Sequence, residues 1–187
     1  MSMKKPIAAL LAVLLSVSAH AQGLSGMGVP NTPPTPTSFV LMAKSGVASS
    51  ITGTLTETML ATITIPANVV GANGQIKVNA YWTVTSSANV KNIRARLGGI
   101  GGTAVFGNAI TTQATVLSNT LIINANSTSS QVSFSEVARG TDGLVNTLAS
   151  ISSSIDMTTS QSLVITGQLT NTGETITLVG YSVEYAF

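Results

Sequence analysis

The chain has 187 residues, of which 7% are charged and 44% hydrophobic, with a single His and no Cys. The missing Cys excludes disulfides, thiolate metal sites and a thiol nucleophile, and a charged fraction far below the usual quarter means that another group must hydrate the surface. Past residue 21 the sequence holds 20 Ser and 26 Thr in 166 residues; hydroxyls fill that role, and Thr together with Val and Ile favours pleated strands.

Residues 1–21 read as a secretory leader. Lys4 and Lys5 form a basic start, Ile7 to Val17 an apolar run, and Ala19-His20-Ala21 a small-x-small cleavage site before Gln22. About 11 apolar residues fall short of the ~20 that span a bilayer as a helix. Without the leader, six basic and six acidic residues remain, so the formal charge is zero and the basic pI of the whole chain is no nucleic-acid signature. Residues 22–37 carry Pro30, Pro33, Pro34 and Pro36; proline fixes φ and lacks an amide donor, which predicts an extended arm or linker.

From Ser38 to the end, β-rich runs alternate with turn signals. The pattern predicts strands near 38–43, 53–65, 75–85, 90–97, 102–107, 114–124, 131–138, 144–155, 161–169 and 174–186. Asn171-Thr172-Gly173 predicts a hairpin between the last two. Gly143 to Ile155 is the best helical candidate, although its Ser run and β-branched residues argue against one. So many short strands in about 150 residues predict an all-β fold, an antiparallel two-sheet β-sandwich of jelly-roll type over 38–187. Trp82, Ile76, Val78, Leu97, Phe106, Ile122, Phe134, Ile165 and Leu178 are the expected core.

The inventory for chemistry is thin. Past the leader no His is left to serve a Ser nucleophile, and the six carboxylates, Glu57, Glu136, Asp142, Asp156, Glu174 and Glu184, are scattered. A glycosidase needs only two of them at a suitable separation, but also a cleft lined with aromatics, and the chain offers one Trp, three Tyr and four Phe. Gly98-Gly99-Ile100-Gly101-Gly102 lacks the Lys-Ser/Thr and the helix of a phosphate loop and reads as a flexible loop between strands. Asp142, within Arg139 to Gly143, could contribute to a carbonyl-rich calcium site, yet an ordinary turn explains it. Asn126-Ser127-Thr128 matches a glycosylation sequon that a bacterial-type leader makes incidental. Lys91, Arg94 and Arg96 form the one basic cluster; it reads as a solvated strand face or as half of an intersubunit ion pair with Glu174 or Glu184, not as a nucleic-acid surface. No catalytic residue, cofactor site or metal site is expected.

The final alternation Val179, Tyr181, Val183, Tyr185, Phe187 is similar to the closing strand of an outer-membrane β-barrel, and reads equally as a terminal core strand.

Ile65-Pro66-Ala67-Asn68, Gly71-Ala72-Asn73-Gly74, Tyr81-Trp82-Thr83-Val84-Thr85, Ser87-Ala88-Asn89, Arg94 to Gly99, Leu163 to Gln168 and Gly173 to Leu178 together resemble small β-sandwich structural proteins of tailed bacteriophages, of the decoration, head-fibre or fibre-tip kind. The resemblance covers roughly residues 55–187. It implies a virion surface protein that works as a homo-oligomer, a trimer in the first instance, with other virion proteins as partners and a surface glycan as a further one. Two other readings stand beside it: an exported bacterial adhesin, matrix or filament subunit, secreted or on the cell surface after cleavage before Gln22, and a small outer-membrane β-barrel. Low net charge and strands with apolar residues on both faces themselves favour association.

Overall fold

The computed structural model describes residues 38–140, 144–145 and 150–187. Residues 1–37, where a leader and an arm are expected, and Asp142 lie outside the described residues. Twelve strands run in chain order as β1 (Val40–Ser45), β2 (Ser49–Thr52), β3 (Thr58–Ile65), β4 (Gln75–Val84), β5 (Lys91–Leu97), β6 (Thr103–Ile110), β7 (Thr115–Asn124), β8 (Gln131–Arg139), β9 (Leu144–Val145), β10 (Ile151–Ser153), β11 (Gln161–Leu169) and β12 (Thr175–Ala186). They make two antiparallel sheets. The larger has the order β1-β12-β4-β7-β8-β10, with β2 also pairing β12 and β9 pairing β8; the smaller has the order β3-β11-β5-β6. The block β1/β2-β12-β4-β7 against β3-β11-β5-β6 is the double wrap of a jelly roll, and β8, β9 and β10 extend the larger sheet.

Each sheet buries one face, and strict alternation selects it. On β4, Ile76, Val78, Ala80, Trp82 and Val84 point inward; on β5, Ile93, Ala95 and Leu97 do so. Ile122 of β7, Leu163 and Ile165 of β11, and Ile176, Leu178 and Val183 of β12 complete the layer between the sheets. Trp82 keeps its indole N–H satisfied by donating to Ser118 Oγ at 3.2 Å, which is how an indole can be buried without losing a hydrogen bond.

Several expectations need correction. β11 and β12 are not a hairpin: β11 pairs with β3 and β5 in the smaller sheet, β12 with β1, β2 and β4 in the larger, so Asn171–Gly173 carries the chain across the sandwich. The run expected at 53–65 begins at Thr58, because Gly53 to Glu57 also cross between sheets, and a separate strand, β2, precedes them. The interval 144–155 holds β9 and β10 and not one long strand; residues 146–149 lie outside the described residues. Phe134 is 41% exposed. Its strand turns the other way because Gln131 and Ser133 are buried with partners: Ser133 Oγ donates to Val105 O at 2.8 Å, and Gln131 Nε2 donates to Ile155 O at 2.9 Å while its carbonyl accepts from Ile155 N at 3.0 Å. A satisfied polar column costs little to bury, and β-parity then sends Phe134 outward.

The barrel reading is also overturned, since the two sheets enclose an apolar core and not a polar lumen. Tyr181, Val183 and Tyr185 face that core, while a bulge between Leu178 and Gly180 turns Val179 out.

The glycine run is the turn of the β5–β6 hairpin, held by hydrogen bonds. Gly98 and Gly99 have φ of 90° and 83° and both amides donate to Ser162 O at 2.9 Å; left-handed backbone of this kind favours glycine. At Gly102 a Cβ would sit 1.9 Å from the Leu97 carbonyl oxygen, whereas at Gly101 it would meet nothing within 4 Å. Gly102→Ala is therefore expected to cost about 2–4 kcal/mol and Gly101→Ala less than ~0.5 kcal/mol, a contrast that paired urea melts followed by Trp82 fluorescence will measure.

Candidate functional site

The charged side chains sort into three places. On the outer face of the smaller sheet, parity places Arg94 and Arg96 side by side on β5, and Glu57 reaches them from the β2–β3 crossing. Arg96 binds the carboxylate through Nε at 2.8 Å and Nη2 at 2.9 Å, Arg94 Nη1 stands 3.3 Å from Oε2, and Thr166 Oγ1 donates to Oε1 at 2.6 Å. Arg96 Nη1 also donates to Gly102 O at 3.0 Å, and Arg94 Nη1 to Gln168 Oε1 at 3.0 Å. The cluster clips the crossing to the sheet. It is the intrachain answer to the expected intersubunit pair: Arg94 and Arg96 take Glu57, not Glu174 or Glu184.

Lys91 parts company with those arginines. Three residues from Arg94, it falls on the opposite face of β5 and is fully buried. Its Nζ donates to Ser87 Oγ at 2.9 Å and stands 3.7 Å from Glu174 Oε1, to which Ser87 Oγ itself donates and Asn89 Nδ2 donates at 3.1 Å. A buried ammonium demands such a counter-charge. The group joins the β4–β5 and β11–β12 crossings, so it welds one end of the sandwich. The sequence signal was available, since an odd-numbered lysine continues the inward series Ile93, Ala95, Leu97.

The third place is the outer face of the larger sheet. Register aligns residues across five strands into rows: Leu41, Glu184, Lys77, Leu121 and Phe134 form one, and Lys44, Ser182, Asn79, Asn119 and Glu136 the next. Asn79 Nδ2 donates to Ser182 Oγ at 3.1 Å within the second row. A depression of about 350 Å³ opens here, with Gln75, Lys77, Asn119 and Leu121 along it, Phe39 from beside β1, and Phe134 and Glu136 from β8. A second, of about 390 Å³, lies further along the same strands between Tyr81, Leu117, Ala138 and Val179. Of the twelve exposed large apolar side chains among the described residues, six, Phe39, Leu41, Tyr81, Leu117, Phe134 and Val179, sit on this face. They fall in two groups, Phe39, Leu41 and Phe134 on one side and Tyr81, Leu117 and Val179 on the other, with the polar Lys44–Glu136 row between them.

Glu136 and Glu184 share the face, but β8 and β12 are three strand spacings apart, about 14 Å, beyond the ~5–9.5 Å that acid and base or nucleophile require. Glu57 and Glu174 are engaged as described, and Asp156 accepts from Thr158 N and Oγ1 in a turn. Among the described residues no three His, Cys, Asp or Glu side chains gather as a metal site.

No protein-family model matches the sequence, and no curated protein matches it. Among solved structures the chain is similar to a seed lectin isoform of Lotus tetragonolobus, at 9% identity over 80% of this chain and 98% of that one with a TM-score of 0.37. It is similar to the CBM2 module of the evolved Dit of Lactobacillus casei BL23 phage J-1, at 12% identity over 66% and 67% with a TM-score of 0.36. It is also similar to VP2 of an infectious bursal disease virus subviral particle, at 14% identity over 80% of this chain and 41% of that one with a TM-score of 0.29. Identities and scores this low transfer neither a site nor an activity.

Two expectations follow. The Arg96 hydrogen bonds, opposed by partial burial and helped by Thr166 and Arg94, hold the Glu57 carboxyl below its ordinary value of 4.5. A depressed folded-state pKa stabilises the fold above the unfolded value and is lost as pH falls through the folded one. Melting temperature should therefore drop as pH falls below 4.5, with a shallower drop in Glu57→Gln; equal acid slopes would show that the clip carries no stability. Second, Lys91→Ala leaves a buried carboxylate without its cation and should lower the melting temperature well beyond Lys77→Ala on the open face, as calorimetry of the two variants will compare.

Proposed function

We propose that this chain is a non-enzymatic structural or surface-binding protein, a virion component of the capsid-decoration or fibre kind that works as a homo-oligomer. The observation that carries the reading is the outer face of the larger sheet, where six exposed large apolar side chains lie on a jelly roll with no cover among the described residues. A rigid two-sheet body with a flat, partly apolar face suits attachment and assembly. Its loop ends are fixed by the Glu57 and Lys91 clusters, and among the described residues Glu57 and Glu174 sit in ion pairs while Glu136 and Glu184 stand about 14 Å apart. Within this reading residues 1–21 are the leader, 22–37 an arm, and 38–187 the domain that binds.

The alternative is an exported adhesin, matrix or filament subunit, favoured by the leader-like start and the small-x-small site before Gln22. Density-gradient fractionation of the producing culture, with the chain followed by mass spectrometry, separates the two. Co-banding with particles is the expected result. Recovery from cell-envelope or secreted fractions, with Gln22 as the new N-terminus, overturns the virion reading in favour of export.

A further inference from the structure

We propose that the outer face of the larger sheet is where a second copy of this chain docks, about a two-fold axis running along β4, so that β1 of one copy lies over β8 of the other. The inference deepens the oligomeric part of the function proposed above and names its surface.

Charge is the first argument. Of the charged residues described, Glu57, Lys91, Arg94, Arg96 and Glu174 are in ion pairs; Arg139 donates to Asn108 and Asp156 accepts from Thr158. The four left, Lys44, Lys77, Glu136 and Glu184, have neither ion pair nor hydrogen bond through their side chains among the described residues, and all four lie on this one face. Two positive and two negative charges sum to zero. A neutral face with both signs exposed is complementary to itself and to no strongly charged partner.

The register makes that complementarity geometric. β4 is the middle of the five strands β1-β12-β4-β7-β8. A two-fold axis along it exchanges the flanks and leaves each row on itself. Lys44 and Glu136 end the same row on opposite flanks, so Lys44 of each copy meets Glu136 of the other, twice. Leu41 and Phe134 end the neighbouring row and meet likewise, which covers two of the exposed apolar side chains on each copy. Lys77 lies on the axis and faces Lys77 of the other copy, a like-charge contact that Glu184 of each chain, beside its own Lys77 in register, offsets. The outer face of the smaller sheet offers no such match, because its charges are already clipped together.

Area is the third argument. Strands of ten residues span about 34 Å, and five strands cover about 24 Å. The face is thus on the order of 800 Å², the amount one partner contributes to a standard stable interface.

The full-length chain can be tested without mutation. Within one copy Lys44 and Glu136 are four strand spacings apart, roughly 19 Å, too far for a carbodiimide that joins an amine directly to a carboxylate with loss of water. The expected product is a two-chain band whose digest contains Lys44–Glu136 linked peptides. Light scattering should give a two-chain mass at micromolar concentration, with Lys44→Glu or Glu136→Lys weakening association at least about tenfold and the double exchange restoring it. Blue-shifted Trp82 emission reports that each variant is folded; if a variant is not, the cross-link on the unaltered chain decides.

A single-chain mass up to about 100 μM overturns the inference. So does a two- or three-chain assembly whose cross-links join other residues, the ring of three included. Retention on a glycan array that is lost in Phe134→Ala, in a chain that stays monomeric, would assign the face to sugar instead. Particle fractionation reads the virion assignment separately: a Lys44–Glu136 cross-link in a chain that never co-bands with particles keeps the pair and removes that assignment.

Discussion

Burial on one side only governs this molecule. A chain with few charges has little with which to solvate a misplaced strand, and a shift of one residue would exchange the Ile and Val series of β4, β5 and β12 for Thr, Asn and Arg. The register is therefore enforced by the core itself. Bulges appear where the parity has to change: between Leu178 and Gly180 on β12, and between Leu41 and Ala43 on β1. Each restores the inward series after a residue that cannot follow it. The outer faces inherit whatever the inward series leaves behind, so the character of the binding surface is decided by the packing of the core.

The scarce charges are spent where the backbone is least protected by the sheets. Crossings between sheets leave amides and carbonyls without ladder partners, and this chain closes them with hydroxyls and amides: Thr170 Oγ1 to Val90 O at 2.8 Å, Asn124 Nδ2 to Gly71 O at 2.7 Å, Ser86 Oγ to Thr112 O. Glu57 and Glu174 do the same with an ion attached, one on an outer face and one under a loop. Their settings differ in consequence. The Glu57 cluster is partly solvated and can be loosened by acid, whereas Lys91 is sealed and its removal strands the buried Glu174 carboxylate without its cation.

The all-β class and the double-wrapped sandwich were legible because period-two alternation survives in nearly every run, and eight of the nine expected core residues are buried. Phe134 was misread because hydrophobicity was weighed residue by residue; the parity of Gln131, Ser133 and Val137 sets its direction, and the partners that make buried Gln and Ser acceptable are distant in sequence. Connectivity was illegible for a related reason. Asn171–Gly173 and the glycines at 98–102 carry similar turn chemistry, yet the first crosses between sheets and the second closes a hairpin. Only the competition among strands for neighbours, which is long-range, separates them. β2 escaped because four residues, Ser-Ser-Ile-Thr, hold too few alternations to register.

The candidate surface was harder to see than the core, for it is defined by what it lacks. Lys44, Lys77 and Glu136 are unremarkable along the sequence, and Phe134 reads as core. Folding brings them together by subtraction: the smaller sheet consumes Glu57, Arg94 and Arg96, the loop end consumes Lys91 and Glu174, and among the described residues the charges left without a partner fall on a single face beside Phe39, Tyr81 and Phe134. An interface in a chain so poor in charge has to be mixed in this way. An all-apolar face would aggregate without orientation, while four charges of balanced sign at fixed rows give a neutral face a register for its partner.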